Sequence, residues 1–493
     1  MELKKVIVIG SGIAGLSASA SLASAGYDVT VIEKNNKPGG RINLFKDEGF
    51  VFDMGPSWYW MPEVFEDFYQ RFGHTASDFY ELKRLDPSYR VIFKDNSTLD
   101  VPADFNALKE IFESYEQGSG AKLQKFIDQA AYKYQVGMNE FVWKPGKSIF
   151  EFAKLKVLKS LFRLQLFQSI SKEINAVVKN RNLRQLLEFP VLFLGAAPQD
   201  TPALYSLMNY ADLKLGTWYP EGGMYKIAEA FYKIAIEQGV KFQFEEEVTS
   251  FSYFTNGIKD VHTNKGSYRS DLVVANADYH HIDQNVLEQR HAQYDAAYWD
   301  SRKMAPSSLL FYLGIDKKLP GLLHHNLFFD ADFDRHAHEI YKDPKWPEDP
   351  LFYICAPSVT DSAVAPEGKE NLFLLMPLAP DLEGETEEKK EEYLKLIIER
   401  VEKQIGVSFY DDIIYKRSFG IKDFKSTYNS FKGNAYGLAN TLMQTAVLKP
   451  SLKSKKMSNL YFAGQLTTPG PGLPPSIISG QVVANEIIKD FEN

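Results

Sequence analysis

The chain has 493 residues, 44% of them hydrophobic and 24% charged, with a formal net charge of −8. At roughly 100–200 residues per domain this length fits two to four units or one large interleaved body, and the ordinary apolar fraction excludes wholesale disorder. The acidic balance argues against a dedicated nucleic-acid binder, and one cysteine, Cys355, excludes an internal disulfide, a four-cysteine zinc site and a CxxC redox pair, pointing to a reducing compartment.

In chain order, residues 5–9 (KVIVI) form a short β-branched run that fits a buried parallel strand. The run leads straight into glycines, too short for a signal-peptide core and without a small-residue cleavage site. No run of about 18 apolar residues occurs anywhere, so no spanning helix is predicted. Gly10-Ser11-Gly12-Ile13-Ala14-Gly15 follows, then an Ala/Ser/Leu-rich helix to about Ala25, with Gly26 as its stop. Residues 27–33 (YDVTVIE) read as a second strand ending in the acid Glu33. Strand, GxGxxG turn, helix, strand and acid together are the dinucleotide-binding fingerprint. Gly10 permits the tight turn, Gly12 lets backbone amides approach a pyrophosphate, and Gly15 lets the helix lie close to the strand. The helix N-terminus supplies a partial positive charge, and Glu33 is placed to accept from a ribose diol.

Next comes Pro38-Gly39-Gly40-Arg41, in which a glycine pair beside an arginine suits a second approach to phosphate or to a flavin edge; a plain turn is the alternative. In Phe52-Asp53-Met54-Gly55-Pro56-Ser57-Trp58-Tyr59-Trp60, Gly55-Pro56 marks a turn. The three aromatics beside it either line a pocket or belong to the core, and composition favours core.

Residues 105–184 are helical in pattern, and 240–254 with 257–263 look like a hairpin. A buried strand is expected within 271–278, followed by strand-rich material over 307–378. A charged helix is expected over 386–404, stopped by Gly406, its run at 385–392 a solvated face. Near the C-terminus, residues 459–463 (NLYFA) form another short strand, then Gly464-Gln465 and a turn-rich stretch to Pro475. Ser476 is the expected N-cap of a helix over 477–488. This second strand–glycine–helix unit is expected beside the first in space; a helix that merely caps a finished domain is the alternative. Repeats and low-complexity linkers are absent, which favours one interwoven molecule. The pair His280-His281 lacks the i, i+4 spacing of metal ligands, so no metal site is expected.

The sequence resembles the bacterial-type phytoene desaturases, FAD-dependent carotenoid desaturases and isomerases of the amine-oxidase-like flavoprotein group. The resemblance runs nearly end to end, through GSGIAG at 10–15, GGR at 39–41, FDMGPSW at 52–58, YPEGGM at 219–224 and VVANAD at 273–278. It continues through APEGKE at 365–370, GNAYGL at 433–438 and YFAGQLTTPGPGLP at 461–474, the last two being the more specific. Gln465 and the Pro474-Pro475 pair stand where many relatives vary, which bears on the polyene accepted.

The resemblance implies an α/β fold: a Rossmann-type FAD-binding domain interleaved with a mixed-sheet substrate domain and a helical cap. The FAD domain would be discontinuous (1–92, 220–300, 455–493), with the cap and candidate membrane-contact region at 93–219 and the substrate domain at 301–454. It implies FAD contacts from Gly10, Gly12, Ile13, Ala14, Gly15, Glu33, Lys34, Gly39, Gly40 and Arg41. Further contacts would come from Gly55, Pro56, Ser57, Trp58, Val248, Asn276, Gly464, Gln465, Gly472, Leu473 and Pro474. Among these, Glu33 would bind the adenosine ribose and Val248 the adenine through its backbone. Gly55–Ser57 and Gly472–Pro474 would flank the isoalloxazine.

The implied reaction is desaturation of a carotenoid precursor such as phytoene, by hydride transfer to flavin and loss of a neighbouring proton. Because the cofactor accepts the hydride, the protein need only exclude water, align the chain and stabilise transient charge. No Ser–His–Asp or metal cluster is evident, and no base is assigned; Asp212 and Glu221, near YPEGGM, are candidates on position alone. Substrate delivery is expected from a bilayer. Over 150–179, Phe152, Leu155, Leu158, Phe162, Leu166 and Ile170 alternate with Lys154, Lys156, Lys159 and Arg163, a basic amphipathic pattern suited to a lipid surface or to a core-covering cap. The expected location is cytoplasmic, peripheral on the inner face of the cell membrane, with a quinone or oxygen as electron acceptor and no nucleic-acid partner. Alternatives are a 3,4-desaturase of hydroxylated or monocyclic carotenoids, an amine or amino-acid oxidase on the same scaffold, and a non-catalytic flavin- or polyene-binding protein. Cys355 lies far from the C-terminal flavin motif, against covalent flavin attachment.

Overall fold

Residues 3–148, 151, 165, 168–192, 195 and 197–491 are described in a computed structural model of the chain. Its first sheet is assembled from distant stretches. Five strands lie in the order Leu460–Phe462, Leu272–Ala275, Lys5–Ile9, Asp28–Ile32 and Lys241–Gln243, every neighbouring pair parallel. The KVIVI strand is central, with Val8 facing Val31 on one side and Val274 on the other. Parallel strands buried on both faces need apolar residues at successive positions, and Val6 to Ile9 are all buried.

Helices Ile13–Ser24, Tyr225–Glu237 and Leu473–Phe491 cover one face of this sheet through one apolar cluster containing Val6, Val8, Leu16, Ile227 and Val483. The other face, with Ile7, Ile9 and Val273, packs against a three-stranded antiparallel sheet, Val248–Phe254, Gly257–Thr263 and Ser267–Arg269. The hairpin therefore begins at Val248. Residues 241–243, expected within it, edge the parallel sheet instead.

The second sheet has seven strands, in the order Ile413–Phe419, Ser307–Ile315, Glu370–Leu378, Phe352–Cys355, His325–Phe329, Tyr89–Phe93 and Thr98–Val101. The Tyr89–Phe93 strand pairs parallel to His325–Phe329, so this hairpin packs with residues of 301–454. Period-two alternation divides the sheet's faces. Leu309, Phe311, Leu313, Leu372 and Leu374 pack under the charged helix Glu387–Ile405 through Leu394, Ile397, Ile398 and Val401. Leu310, Tyr353, Phe373 and Leu375 point the other way, towards the first sheet. Thr386 caps the charged helix through the Lys389 N–H, and Gly406 ends it at φ 71°.

Helices Phe105–Tyr115, Ser119–Val136, Ile170–Val177 and Arg181–Leu192 form a cap. The Lys133 ammonium, almost fully buried, ties it together by donating to Glu173, the Ala203 carbonyl and Ser206. Most of the basic amphipathic segment at 150–179, with Lys154, Lys156, Lys159 and Arg163, lies outside the described residues. The C-terminal helix starts at Leu473 rather than after Ser476, because Pro474 and Pro475 occupy its first turn, where backbone N–H groups are unpaired in any case. Ser476 is thus a helical residue whose N–H donates to the Gly472 carbonyl. No helix among the described residues is long and apolar enough to cross a membrane.

Candidate functional site

At the carboxyl ends of the parallel strands, between the two sheets, lies a cavity of about 400 Å³. One end is built from glycine backbone. Gly10 turns the chain at φ 93°, and Gly12 starts the helix without a side-chain cap, which leaves the first-turn N–H groups facing the cavity. Gly12 bridges to Gly39, and a Cβ on Gly40 would sit 3.1 Å from the Gly12 Cα. The Asn276 amide donates to the Gly10 carbonyl and would be 3.0 Å from a Cβ on Gly12. Gly15 lies behind the wall, where its Cβ would meet the Gly10 carbonyl oxygen at 2.2 Å.

Glu33, buried at the end of its strand, accepts at Oε2 from the Ser11 N–H and hydroxyl (2.8 and 2.7 Å), and at Oε1 from the Asn35 N–H at 2.9 Å. Its carboxylate is therefore fixed at the cavity wall. Arg41 is half-buried beside Asp278, 5.3 Å from the Tyr428 ring, with Nη2 donating to Ser430 and its buried Nε without a partner. Burial pushes the Asp278 carboxyl up to about 6, although Arg41 beside it pulls the other way. Gln465 also leaves its buried amide nitrogen unpaired on the wall. Open amides at a helix N-terminus, a close glycine approach and a guanidinium whose buried Nε–H is free fit a dinucleotide pyrophosphate.

The other end is apolar: Trp58, Trp60, Met208, Leu310, Phe373 and Leu375 line it. Composition alone favoured core for the aromatic run, yet only Tyr59 is buried away from the wall. Here Tyr353 donates to the Ser57 hydroxyl at 2.9 Å, and its own oxygen lies 2.6 Å from His325 Nδ1. Trp58 stacks on the His325 ring at 4.1 Å and 12°. One ring nitrogen each of His324 and His325 and the Cys355 sulfur lie within 4.8 Å of one another. Burial keeps these groups neutral, taking His324 down to about 3, His325 well below the usual imidazole value and the Cys355 thiol up to about 12.

Every residue singled out in the sequence for dinucleotide contact except Gly15 lies on this one wall, including Ile13, Ala14, Lys34, Val248, Asn276, Gly464 and Gly472–Pro474. The two candidate bases do not. Asp212 is buried away from it, hydrogen-bonded by Tyr89 at 2.7 Å, and Glu221 pairs with Lys83 at the surface. His281 lines the nucleotide end, while His280 stacks on Phe431. Sequence reasoning passed over Tyr353 and the adjacent His324-His325. Strand alternation could place them on one face, but not say which face meets the cavity.

A profile of the flavin-containing amine oxidoreductases matches residues 13–488. The carotenoid 3,4-desaturase of Haloarcula japonica is 39% identical, over 99% of this chain and 98% of that protein. The zeta-carotene-forming phytoene desaturase of Myxococcus xanthus is 31% identical, over 98% and 94%. Among solved structures, an oxidoreductase from Methanosarcina mazei superposes with a TM-score of 0.63 at 16% identity, covering 98% of this chain and 100% of that one. Cyclohexylamine oxidase from Brevibacterium oxydans gives 0.58 at 14%, covering 100% of both.

Proposed function

The chain belongs to the flavin-containing amine oxidoreductase family and, within it, to the carotenoid desaturases, and from that premise we propose that it desaturates a carotenoid precursor such as phytoene. It is an FAD-dependent oxidoreductase acting on CH–CH groups of a hydrophobic polyene. FAD supplies the hydride acceptor. The observation that carries the reading is one cavity joining a glycine–arginine cradle to a hydrocarbon wall.

In this reading the N–H groups at Gly12–Ala14 and the Arg41 guanidinium hold the pyrophosphate. Glu33 accepts from the ribose, and the Val248 backbone meets the adenine. Gly55–Ser57 and Gly472–Pro474 flank the flavin ring. Trp58, Leu310, Phe373 and Leu375 exclude water and align a substrate that has no polar handle. The division into an FAD domain (1–92, 220–300, 455–493), a cap (93–219) and a substrate domain (301–454) is supported by the first sheet, whose five strands all come from the first set. The cap segment bearing Lys154, Lys156, Lys159 and Arg163 docks on the inner face of the cell membrane, and a quinone or oxygen takes the electrons. Making those four residues acidic should abolish liposome flotation; undiminished binding would refute the docking.

The identity to the Haloarcula enzyme favours a second reading, 3,4-desaturation of a hydroxylated or monocyclic carotenoid. Expression in a phytoene-accumulating host separates them. New, more conjugated products from phytoene support the first, and conversion only where cyclic or hydroxylated carotenoids are supplied supports the second.

A further inference from the structure

Behind the apolar end of the cavity, three groups that the desaturase reading leaves unused come together. The rings of His324 and His325 meet edge to face, with 4.5 Å between centroids. One nitrogen of each ring and the Cys355 sulfur all lie within 4.8 Å of one another. None of the three residues is more than 4% exposed. Strand register explains the meeting. His325–Phe329 and Phe352–Cys355 run antiparallel with His325 opposite Cys355, and opposed residues project to one face. His324 precedes that strand, its carbonyl accepting from the Ala356 N–H.

Hydrogen bonding decides which ring nitrogens are free. Tyr353 gives its hydroxyl hydrogen to Ser57, so His325 Nδ1–H is the donor to the Tyr353 oxygen at 2.6 Å. The His325 lone pair is then on Nε2. His324 Nδ1 is engaged with the Thr360 hydroxyl at 2.9 Å. Nε2 of both rings is buried without a partner. Buried polar atoms without partners are uncommon, and two imidazole nitrogens beside a thiol match the ligands zinc takes. A ring that donates its other N–H to a fixed oxygen is also the usual form of a metal-bound histidine.

We propose that His324 Nε2, His325 Nε2 and the Cys355 sulfur bind a zinc ion behind Trp58. On binding, the S–H bond breaks, its proton leaves to solvent, and the sulfur electron pair forms the bond to zinc; nothing is oxidised or reduced. Nitrogen and sulfur ligands on tetrahedral zinc lie about 3.5 Å apart, so the widest separation closes by about 1.3 Å at most. His324 and Cys355 also border a cavity of about 20 Å³, which has room for one water in the fourth position. Asp53 lines the same cavity and accepts from the Met224 and Tyr225 N–H groups at 2.8 and 3.1 Å. A divalent ion set against one thiolate and one carboxylate leaves no net charge in a dry interior, which favours zinc over copper(I). The ion would join the two strands beneath Trp58, which stacks on His325 and lines the substrate-facing wall. The proposal does not depend on the desaturase reading.

The test uses untagged holoenzyme from cells grown with added zinc, freed of loose metal by gel filtration with a mild chelator. About one zinc per chain is expected, and its X-ray absorption should show one sulfur with two imidazole nitrogens. Cys355 is the only cysteine, so sulfur at about 2.3 Å identifies the site. Loss of an outer partner weakens a metal site about 10–100-fold, so Tyr353→Phe, which removes the acceptor of the His325 N–H, should weaken zinc binding by that factor. Cys355→Ser, which removes a ligand, should weaken it further. Zinc removal should lower the melting temperature of wild type and leave that of Cys355→Ser unchanged. If Cys355→Ser fails to hold FAD, the X-ray absorption of wild type decides alone. Zinc-free holoenzyme, zinc without a sulfur neighbour (an adventitious surface ion only) or copper at these atoms overturns the proposal. Polyene turnover enters none of these measurements, so the desaturase reading stands or falls separately.

Discussion

At single residues, the same amino acid has opposite consequences in different surroundings. Alanine in place of a helical glycine ordinarily gains about 1 kcal/mol. At Gly15 the added carbon would lie 2.2 Å from the Gly10 carbonyl oxygen and 2.7 Å from the Asn276 amide, both part of the cradle. Gly15→Ala should therefore lose FAD, read as the flavin-to-protein absorbance ratio after purification, even though Gly15 does not line the cavity. The buried Asp212 tests electrostatics. Desolvation raises its carboxyl to about 7 against 3.8 when free, with Tyr89 and Arg84 opposing. A raised folded-state value means that the folded protein holds the proton more tightly, so the contribution is full below about pH 4 and is lost as pH rises towards 7. Between those values wild type should lose stability relative to Asp212→Asn, with a slope of at most about 1.4 kcal/mol per pH unit; denaturant titrations at several pH values check it. A stability difference that is flat across that window would contradict the burial argument.

At the scale of elements, the sequence was most readable where one constraint acts alone. KVIVI, the GxGxxG turn and the Thr386-capped charged helix follow from burial on both faces, backbone approach and end capping. Two elements were misplaced where constraints compete. The proline pair at 474–475 reads as a turn, yet it satisfies a helix's first turn equally well. Residues 241–243 carry an exposed–half-buried–exposed pattern that suits a hairpin, yet they pair in parallel with Asp28–Ile32. The C-terminal helix also packs more closely than its sequence announces. A Cβ on Gly480 would meet the Ala14 carbonyl at 2.3 Å, and Ser17 donates to the Ile477 carbonyl across the same contact. Gly480→Val should push this helix off its partner and cost about 1–3 kcal/mol, the usual range for overpacking. Melting temperature and FAD content should fall together, since the helix carries Leu473 and Pro474 into the cavity. Loss of one without the other would separate the packing from the site.

At the scale of the whole molecule, function depends on the two ends of the chain meeting. The strand at 272–275 pairs on one side with 5–9 and on the other with 460–462, which brings Gly12 and Gly472 to one wall. That convergence was legible, because both ends carry strand–glycine–helix units. The apolar half of the cavity was not, because its wall comes from one face of the second sheet, and alternation marks faces without saying what each will meet. His325 and Tyr353 show the gap most clearly: each is unremarkable in sequence, and only strand register brings them to the substrate-facing side. The most direct measurement is anaerobic stopped-flow mixing of purified yellow protein with phytoene in liposomes. Flavin absorbance should bleach in step with formation of one more conjugated double bond per flavin. Protein that carries FAD yet keeps its full oxidised spectrum with phytoene and with hydroxylated or monocyclic carotenoids would contradict a shared site for flavin and polyene.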